Sequence, residues 1–354
     1  MQQIGCFISP HGYGHATRAI GVLEALQSRH PDLHIHIFTT VPESLFRQSL
    51  AHITYHKVTT DIGLVQTSAL EADIPATIAR LDTFLPYSDT LINDLGKHCR
   101  HCLFILCDIA PLGIAVAKKI GVPSILVENF TWNWIYTPYC QRYPELKKHA
   151  SALKSQFEQA DYHIQTEPLC QKKLADLSCG PIFRTIRQNA TTIRRQLGCD
   201  TKKIILLTMG GVTQKYPLWK NLDQFSDCFF VFTGQPETQR RGENILLLDR
   251  FSELYHPDLI AAADIVVCKA GYSTIAECYQ AGARIIAVGR DDFPETAPLQ
   301  NYIQNILAGV TIDAENFLTG HWLSLLPELL LQTRPSQAVP NGGDIVASFL
   351  SSLL

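Results

Sequence analysis

No apolar run in the 354-residue sequence is long enough to cross a bilayer. The first one, residues 4–9, is also too short for a signal peptide and has no basic leader, so a cytoplasmic location is expected. An excess of basic residues is missing too. With 30 Lys and Arg against 33 Asp and Glu the formal charge is −3, which argues against broad electrostatic binding to nucleic acid or anionic membrane. Short-period repeats and low-complexity tracts are absent, which sets aside solenoid and linker-like architectures. Nor do the eleven cysteines form a disulfide frame. They are scattered, and Cys6, Cys107 and Cys268 sit inside apolar runs, as reduced, buried thiols do. Cys99 and Cys102, with His98 and His101, make one CxxC-like knot; no second pair completes a zinc site, and no metal is expected. What remains is 46% hydrophobic and 18% charged, an ordinary globular composition at a length that suits two domains.

Short apolar strand patterns alternate with helical ones along the chain. Strands are expected at residues 4–9, 34–39, 53–58, 103–107, 123–127 and 162–165, and helices at 15–29, 43–50, 112–120 and 143–159. A longer helix over 74–97 should break or kink at Pro86. Pro168, Gly180 and Pro181 read as a linker into a second domain. The plan then repeats, with strands expected at 204–209, 229–233, 245–248, 265–268, 285–288 and 310–312. Such alternation implies parallel crossovers, hence an α/β chain of two doubly wound, Rossmann-like domains facing across a cleft. Ligands in such sheets bind outside the carboxyl ends of the strands.

Four stretches follow strands in that position. Residues 264–277, DIVVCKAGYSTIAE, run strand, tight turn, helix. That order presents backbone N–H groups and a positive helix end around Gly271, Tyr272, Ser273 and Thr274, which bind a diphosphate without needing a lysine. Glu277 lies one turn further on and can accept two hydrogen bonds from ribose hydroxyls; Thr274 to Glu277 is equally a capping box that needs no ligand. His11, Gly12, Tyr13, Gly14 and His15 follow the first strand. Glycines there allow close approach, and two histidines titrate near neutral pH. Gly210 and Gly211 form a comparable turn in the second domain, either meeting the diphosphate or a sugar or simply turning the chain. Finally, Asn129, Trp132 and Trp134 belong to a loop rich in aromatics and amides, suited to stacking on a sugar or lipid acceptor, or to packing in a seam. Asp108 ends a strand just before Pro111, where it either caps the next helix or orients a base.

These stretches together resemble the GT-B glycosyltransferases. Across the second domain the likeness is to the peptidoglycan N-acetylglucosaminyltransferase and its relatives, in Gly271–Glu277, in Asp249-Arg250-Phe251 and in Leu299-Gln300-Asn301. A likeness over nearly the whole chain is to the N-terminal, glycosyltransferase-like half of plant L-arabinokinase. It is carried by HGYGHATR (11–18), NFTWNWIY (129–136), KAGYSTIAE (269–277), RDDFPE (290–295), LTGHW (318–322) and NGGDI (341–345). Within these residues there is no Pro-rich, Gly/Ser-rich ATP loop, so sugar phosphorylation is not expected. The turn at Gly210 to Thr213 departs from the fuller Gly/Ser loop of the peptidoglycan enzymes.

The resemblance implies a GT-B fold with an acceptor domain over 1–166, a nucleotide-sugar domain over 182–318 and a helical segment over 319–354 packing back on the first. It implies inverting, metal-independent transfer from a UDP-sugar, with no separate cofactor. The donor would meet Gly210, Gly211, Arg250, Phe251, Gly271, Tyr272, Ser273, Thr274, Glu277, Gln300 and Asn301. His15 would be the base, partnered by Asp108. The acceptor hydroxyl, on a glycan, lipid or small molecule, would meet His11, Gly12, Tyr13, Gly14, Asn129, Trp132 and Trp134. Peripheral membrane contact stays open, and nucleic acid is not expected. Two other readings need different evidence: a nucleotide-sugar epimerase on the same fold, and a non-catalytic module that binds a sugar nucleotide.

Overall fold

A computed structural model describes residues 2–67, 71–210, 222–249, 252–290, 292–332 and 339–354. Arg250, Phe251 and Gly211 fall outside them. The chain forms two compact units, the first built from the stretch ending at Thr67 together with Ala72–Phe183 and Pro340–Leu354, the second from Arg184–Val339.

In the first unit β1 (Gln3–Ile8), β2 (His34–Thr39), β3 (Ile53–Lys57), β6 (Cys102–Asp108), β7 (Ser124–Glu128), β8 (Tyr162–Thr166) and β9 (Leu177–Cys179) make one parallel sheet. Their order is β3-β2-β1-β6-β7-β8-β9. The chain winds outward from β1 in one direction, then returns to β6 on the other side. The switch point lies between β1 and β6, whose last residues, Ile8 and Asp108, are register partners. A short antiparallel pair, β4 (Val65–Gln66) and β5 (Ala72–Asp73), stands apart. Ile4, Cys6 and Ile8 of β1 point into a core shared with Ile35 and Ile37 of β2 and Leu106 of β6. That alternation is the period-2 pattern of a sheet covered on both faces.

The expected helix over 74–97 is two helices, Ile74–Phe84 and Asp89–Cys99. Pro86 ends the first, since it has no N–H to donate, and Ser88 accepts from Leu91 N at 3.2 Å to cap the second. The first unit also runs past the expected limit at 166, because β9 adds a seventh strand after the turn at Pro168. The segment expected at 319–354 divides. Trp322, Leu326 and Leu329 belong to a core of the second unit, while Val346, Ala347 and Leu350 of helix Gly342–Ser351 complete the first.

The second unit repeats the winding with β10 (Lys203–Thr208), β11 (Cys228–Gln235), β12 (Gln239–Arg241), β13 (Ile245–Asp249), β14 (Ile265–Lys269), β15 (Arg284–Val288) and β16 (Val310–Ile312). The order is β12-β13-β11-β10-β14-β15-β16, so here the switch point lies between β10 and β14. Among the described residues of this sheet only the edge strand β12 runs antiparallel. Apolar residues on both faces of this sheet, such as Ile205, Leu207, Val266 and Val267, are completely buried.

Candidate active site

At the first switch point helix Gly14–Arg29 opens directly after β1, which puts His15 in its first turn and Arg18 one turn on, on the same face. Asp108, at the end of β6, meets both. Its Oδ1 lies 3.1 Å from His15 Nδ1 and accepts from an Arg18 terminal nitrogen at 2.6 Å, and its Oδ2 accepts from Arg18 Nε at 2.8 Å. Arg18 completes the set by donating to Asn129 Oδ1 at 2.6 Å. His15, Arg18, Asp108 and Asn129 are all buried, Arg18 to within 1%.

His15 Nδ1 faces both this carboxylate, which can only accept, and an Arg18 terminal nitrogen at 3.3 Å, which can only donate; with the proton on Nδ1 toward Asp108, the lone pair of Nε2 is available to take another. Burial opposes ionisation of Asp108, yet Arg18 and then His15 hold its pKa below the usual carboxylate range. Asp108 does not cap the following helix, whose N-cap is Ala110, with no side-chain cap. Ile109, between them, is fully buried and has φ +49°, a strained backbone for a β-branched residue. The chain therefore turns sharply as soon as the carboxylate has been delivered.

Aromatic rings wall this cluster. Phe130 and Trp132 meet His15 edge-on at centroid distances of 5.8 and 6.1 Å, and Trp132 meets His11 at 5.0 Å. Trp132 is itself pinned, its indole N–H donating to Asp61 Oδ2 at 3.0 Å. The other oxygen, Asp61 Oδ1, is buried without a partner. Burial raises the Asp61 pKa to about 7, against hydrogen bonds from Ser9 and Trp132 that lower it. His11 Nδ1 accepts from Leu64 N at 3.4 Å, and Gly12 has φ +72° with no atom within 4 Å of a Cβ placed there. Tyr13 packs against the core below, and Gly14 O receives the Thr17 hydroxyl. Trp134 does not join this cluster. It lines a groove of about 720 Å³ with Thr131, Lys154, Phe157, His163 and Lys173.

In the second unit, helix Tyr272–Ala281 has Gly271 as its N-cap, three residues before the Thr274 that a capping box requires. The capping-box reading of Thr274 and Glu277 is thereby corrected. Glu277 is 2% exposed and fully engaged in the interior. Its Oε1 accepts from Arg184 Nε and a terminal nitrogen at 2.9 and 2.7 Å, and Oε2 accepts from His256 Nδ1 at 2.8 Å. Burial alone would raise its pKa; Arg184 and then His256 bring it down to about 2. His256 Nε2 lies 3.2 Å from the Thr208 hydroxyl. Tyr255 carries Arg184 and Arg187 over its ring, at 5.1 and 3.9 Å. Gly210 follows β10 with φ +67°. Gln300 points at the end of β15, its amide nitrogen 2.4 Å from where a Cβ on Gly289 would be. Asn301 is exposed and accepts from Asn305 at 2.8 Å.

Sequence reasoning missed Arg18, Asp61, Arg184 and His256. Arg18 had a signal, its i+3 spacing from His15 within HGYGHATR. Arg184 and His256 had none, since each is far in sequence from Glu277.

With this geometry in hand, comparison with known proteins is informative. Residues 242–325 match the Glycosyltransferase family 28 C-terminal domain. Solved glycosyltransferases superpose over essentially the whole chain. The glycosyltransferase of kitacinnamycin does so with a TM-score of 0.65 at 15% identity, over 100% of this chain and 99% of its own. Arabidopsis thaliana UGT89C1, solved with UDP, reaches 0.67 at 12% identity over 99% of each chain. Acinetobacter baumannii MurG reaches 0.57 at 15%, covering 99% of this chain and 100% of its own.

The fold is GT-B.

That fold is shared with these glycosyltransferases, and the match to the family 28 domain is confined to residues 242–325. In sequence the chain is similar to L-arabinokinase of Arabidopsis thaliana, 26% identical over 355 residues and 97% of this chain. It spans about a third of that relative, 34% of its length. Among the described residues of this GT-B chain no helix is long and apolar enough to cross a membrane.

Proposed function

We propose that this GT-B chain transfers a sugar from a nucleoside diphosphate sugar, a UDP-sugar in the first instance, to an acceptor hydroxyl with inversion at the anomeric carbon. The observation that carries the reading is the buried His15–Asp108–Arg18 cluster at the switch point of the first sheet. Nε2 of His15 takes the hydroxyl proton as the acceptor oxygen attacks C1. The bond from C1 to the diphosphate breaks, and its electron pair leaves on the phosphate oxygen. Asp108, held ionised by Arg18, favours the imidazolium as it forms. The acceptor is received beside Trp132 and His11, and the donor by the turn at Gly271 to Thr274, whose helix end favours the departing negative charge without requiring a metal. UDP in the Arabidopsis UGT89C1 structure supports the choice of nucleotide.

The test is UDP release from a panel of UDP-sugars and acceptors. His15→Ala should lower turnover by about two to four orders of magnitude, the usual worth of a general base, with UDP affinity unchanged. His11→Ala should act mainly on the Michaelis constant. An altered sugar in the absence of acceptor would show an epimerase instead. UDP binding with no release to any acceptor would leave a binding module.

A further inference from the structure

Lys269 is the last residue of β14, one of the two strands at the second switch point. Its side chain crosses toward the other strand of that pair. A Cβ built on Gly210, just beyond the end of β10, would lie 3.1 Å from Lys269 Cε and 3.6 Å from Nζ. A Cβ on Gly271, which opens the ten-residue helix Tyr272–Ala281, would lie 3.8 Å from the same Cε. The two glycine turns that border the switch point therefore converge on one lysine. Gly210 is the tighter of the two: it has positive φ as well as this neighbour, so a side chain there would crowd the ammonium arm, whereas a Cβ on Gly271 would only touch it.

Lys269 is half-buried, yet no hydrogen bond or ion pair joins its ammonium to a described residue. Glu295, the acid whose charge acts on it, is already paired with Arg290. Burial, and then the charge of Arg290, lower the Lys269 pKa to about 8, with Glu295 only partly offsetting them. A partly desolvated cation with no partner among the described residues is costly to keep, and a bound anion would offset that cost. Here the backbone N–H groups of a helix start point to the same place, which makes the pair an anion site with one full positive charge.

We propose that Lys269 is the cationic ligand of the donor's diphosphate, gripping it between the Gly210 and Gly271 turns and neutralising the nucleoside diphosphate as it departs. This rests on the glycosyl-transfer reading. It assigns the leaving-group charge to a side chain as well as to backbone dipoles. Lys269 gives up no proton in the step: the electron pair of the C1–O bond stays on the phosphate oxygen, and the ammonium offsets that charge.

Calorimetric titration of UDP, uridine and inorganic pyrophosphate into the wild type and Lys269→Met tests it. Loss of one charge-assisted contact should weaken UDP by about ten- to a hundredfold and leave uridine unchanged, with the melting temperature held or raised. Raising the pH from 7.5 to 9.5 should weaken UDP binding to the wild type alone. Over that range the neighbouring Cys268, its thiol pushed up to about 12 by burial, stays protonated. Equal UDP affinity in both proteins overturns the role of Lys269 and leaves the donor reading standing. If the wild type binds neither UDP nor uridine, the donor reading falls. Lys269 then stands only if pyrophosphate is bound by the wild type and not by the variant. Should Lys269→Met fail to fold, Lys269→Gln and the wild-type pH series decide the same question.

Discussion

At the scale of the residue, the first unit's site is an exercise in keeping charge inside. Arg18 and Asp108 are buried together, and each is tolerable only because the other is present. Arg18→Met would leave Asp108 with His15 alone and would strip Asn129 of its donor. Removing one partner of such a pair costs about 3–5 kcal/mol, so the variant should shift the urea midpoint of the first unit sharply. His15→Ala removes a smaller, marginally exposed group and should shift it far less. A similar small shift in both would mean that Asp108 is hydrated after all. The sign with pH follows from Asp108. Its folded pKa is lowered, so its contribution is present above the ordinary carboxylate range and is lost as acid protonates it. The pair was half legible in the sequence. Asp108 and His15 each end a strand–helix transition, which marks them, whereas an arginine in a helix reads as surface until the carboxylate opposite is known.

Elements were legible where pattern and position agree. Most strands ran within a residue or two of their apolar runs, because a buried parallel strand must be apolar on both faces. Helix boundaries were harder. Residues 74–97 keep a helical period through Pro86, so only the missing N–H says that there are two helices. Glu277 shows the other limit. Its spacing from Thr274 satisfies a capping box, but the helix begins earlier, at Tyr272 with Gly271 as its cap, and the carboxylate is engaged by Arg184 and His256 instead. The strand pair β2 and β3 carries a consequence of its own. His36 Nδ1 and His56 Nε2 are 3.0 Å apart, and His56 stacks on Phe38 at 4.4 Å with His98 at 4.5 Å. Burial, then the charges of His98 and His36, lower the His56 pKa from 6.5 to about 4. Protonation is thus easier in the unfolded chain, and stability is lost as pH falls from about 6.5 toward 4. His56→Phe should hold its melting temperature between pH 7 and 4.5 better than the wild type does. Identical slopes for the two proteins would place the acid sensitivity elsewhere.

At the scale of the whole molecule, the chain is not laid down as one unit after the other, since its last helix returns to the first. The device is NGGDI. Asn341 caps the helix through Gly343 N at 2.9 Å, and its amide nitrogen donates to Phe183 O at 2.9 Å. The two glycines then allow backbone contact that no side chain would. A Cβ on Gly342 would lie 2.2 Å from Gly180 O, and one on Gly343 would lie 2.8 Å from Gly21 O in helix Gly14–Arg29. Over this seam Val346, Ala347 and Leu350 are completely buried. Each large apolar side chain so buried contributes about 1.5–3 kcal/mol, and the faces it covers on the first helix and at Ile182 add to that. Set against a total stability of about 5–15 kcal/mol for a typical domain, the loss is decisive. Deleting residues 340–354 should therefore unfold the first unit, His15 site included, while the second, which has cores of its own, persists. Hydrogen exchange would show it directly: amides of β1, β2 and β6 lose protection, and those of β10, β11 and β14 keep theirs. Gly342→Val should reproduce the effect in milder form, since the chain can yield there only by lifting the helix off. Full protection of β1 in the truncated chain would mean that the returning helix decorates the first unit without holding it together.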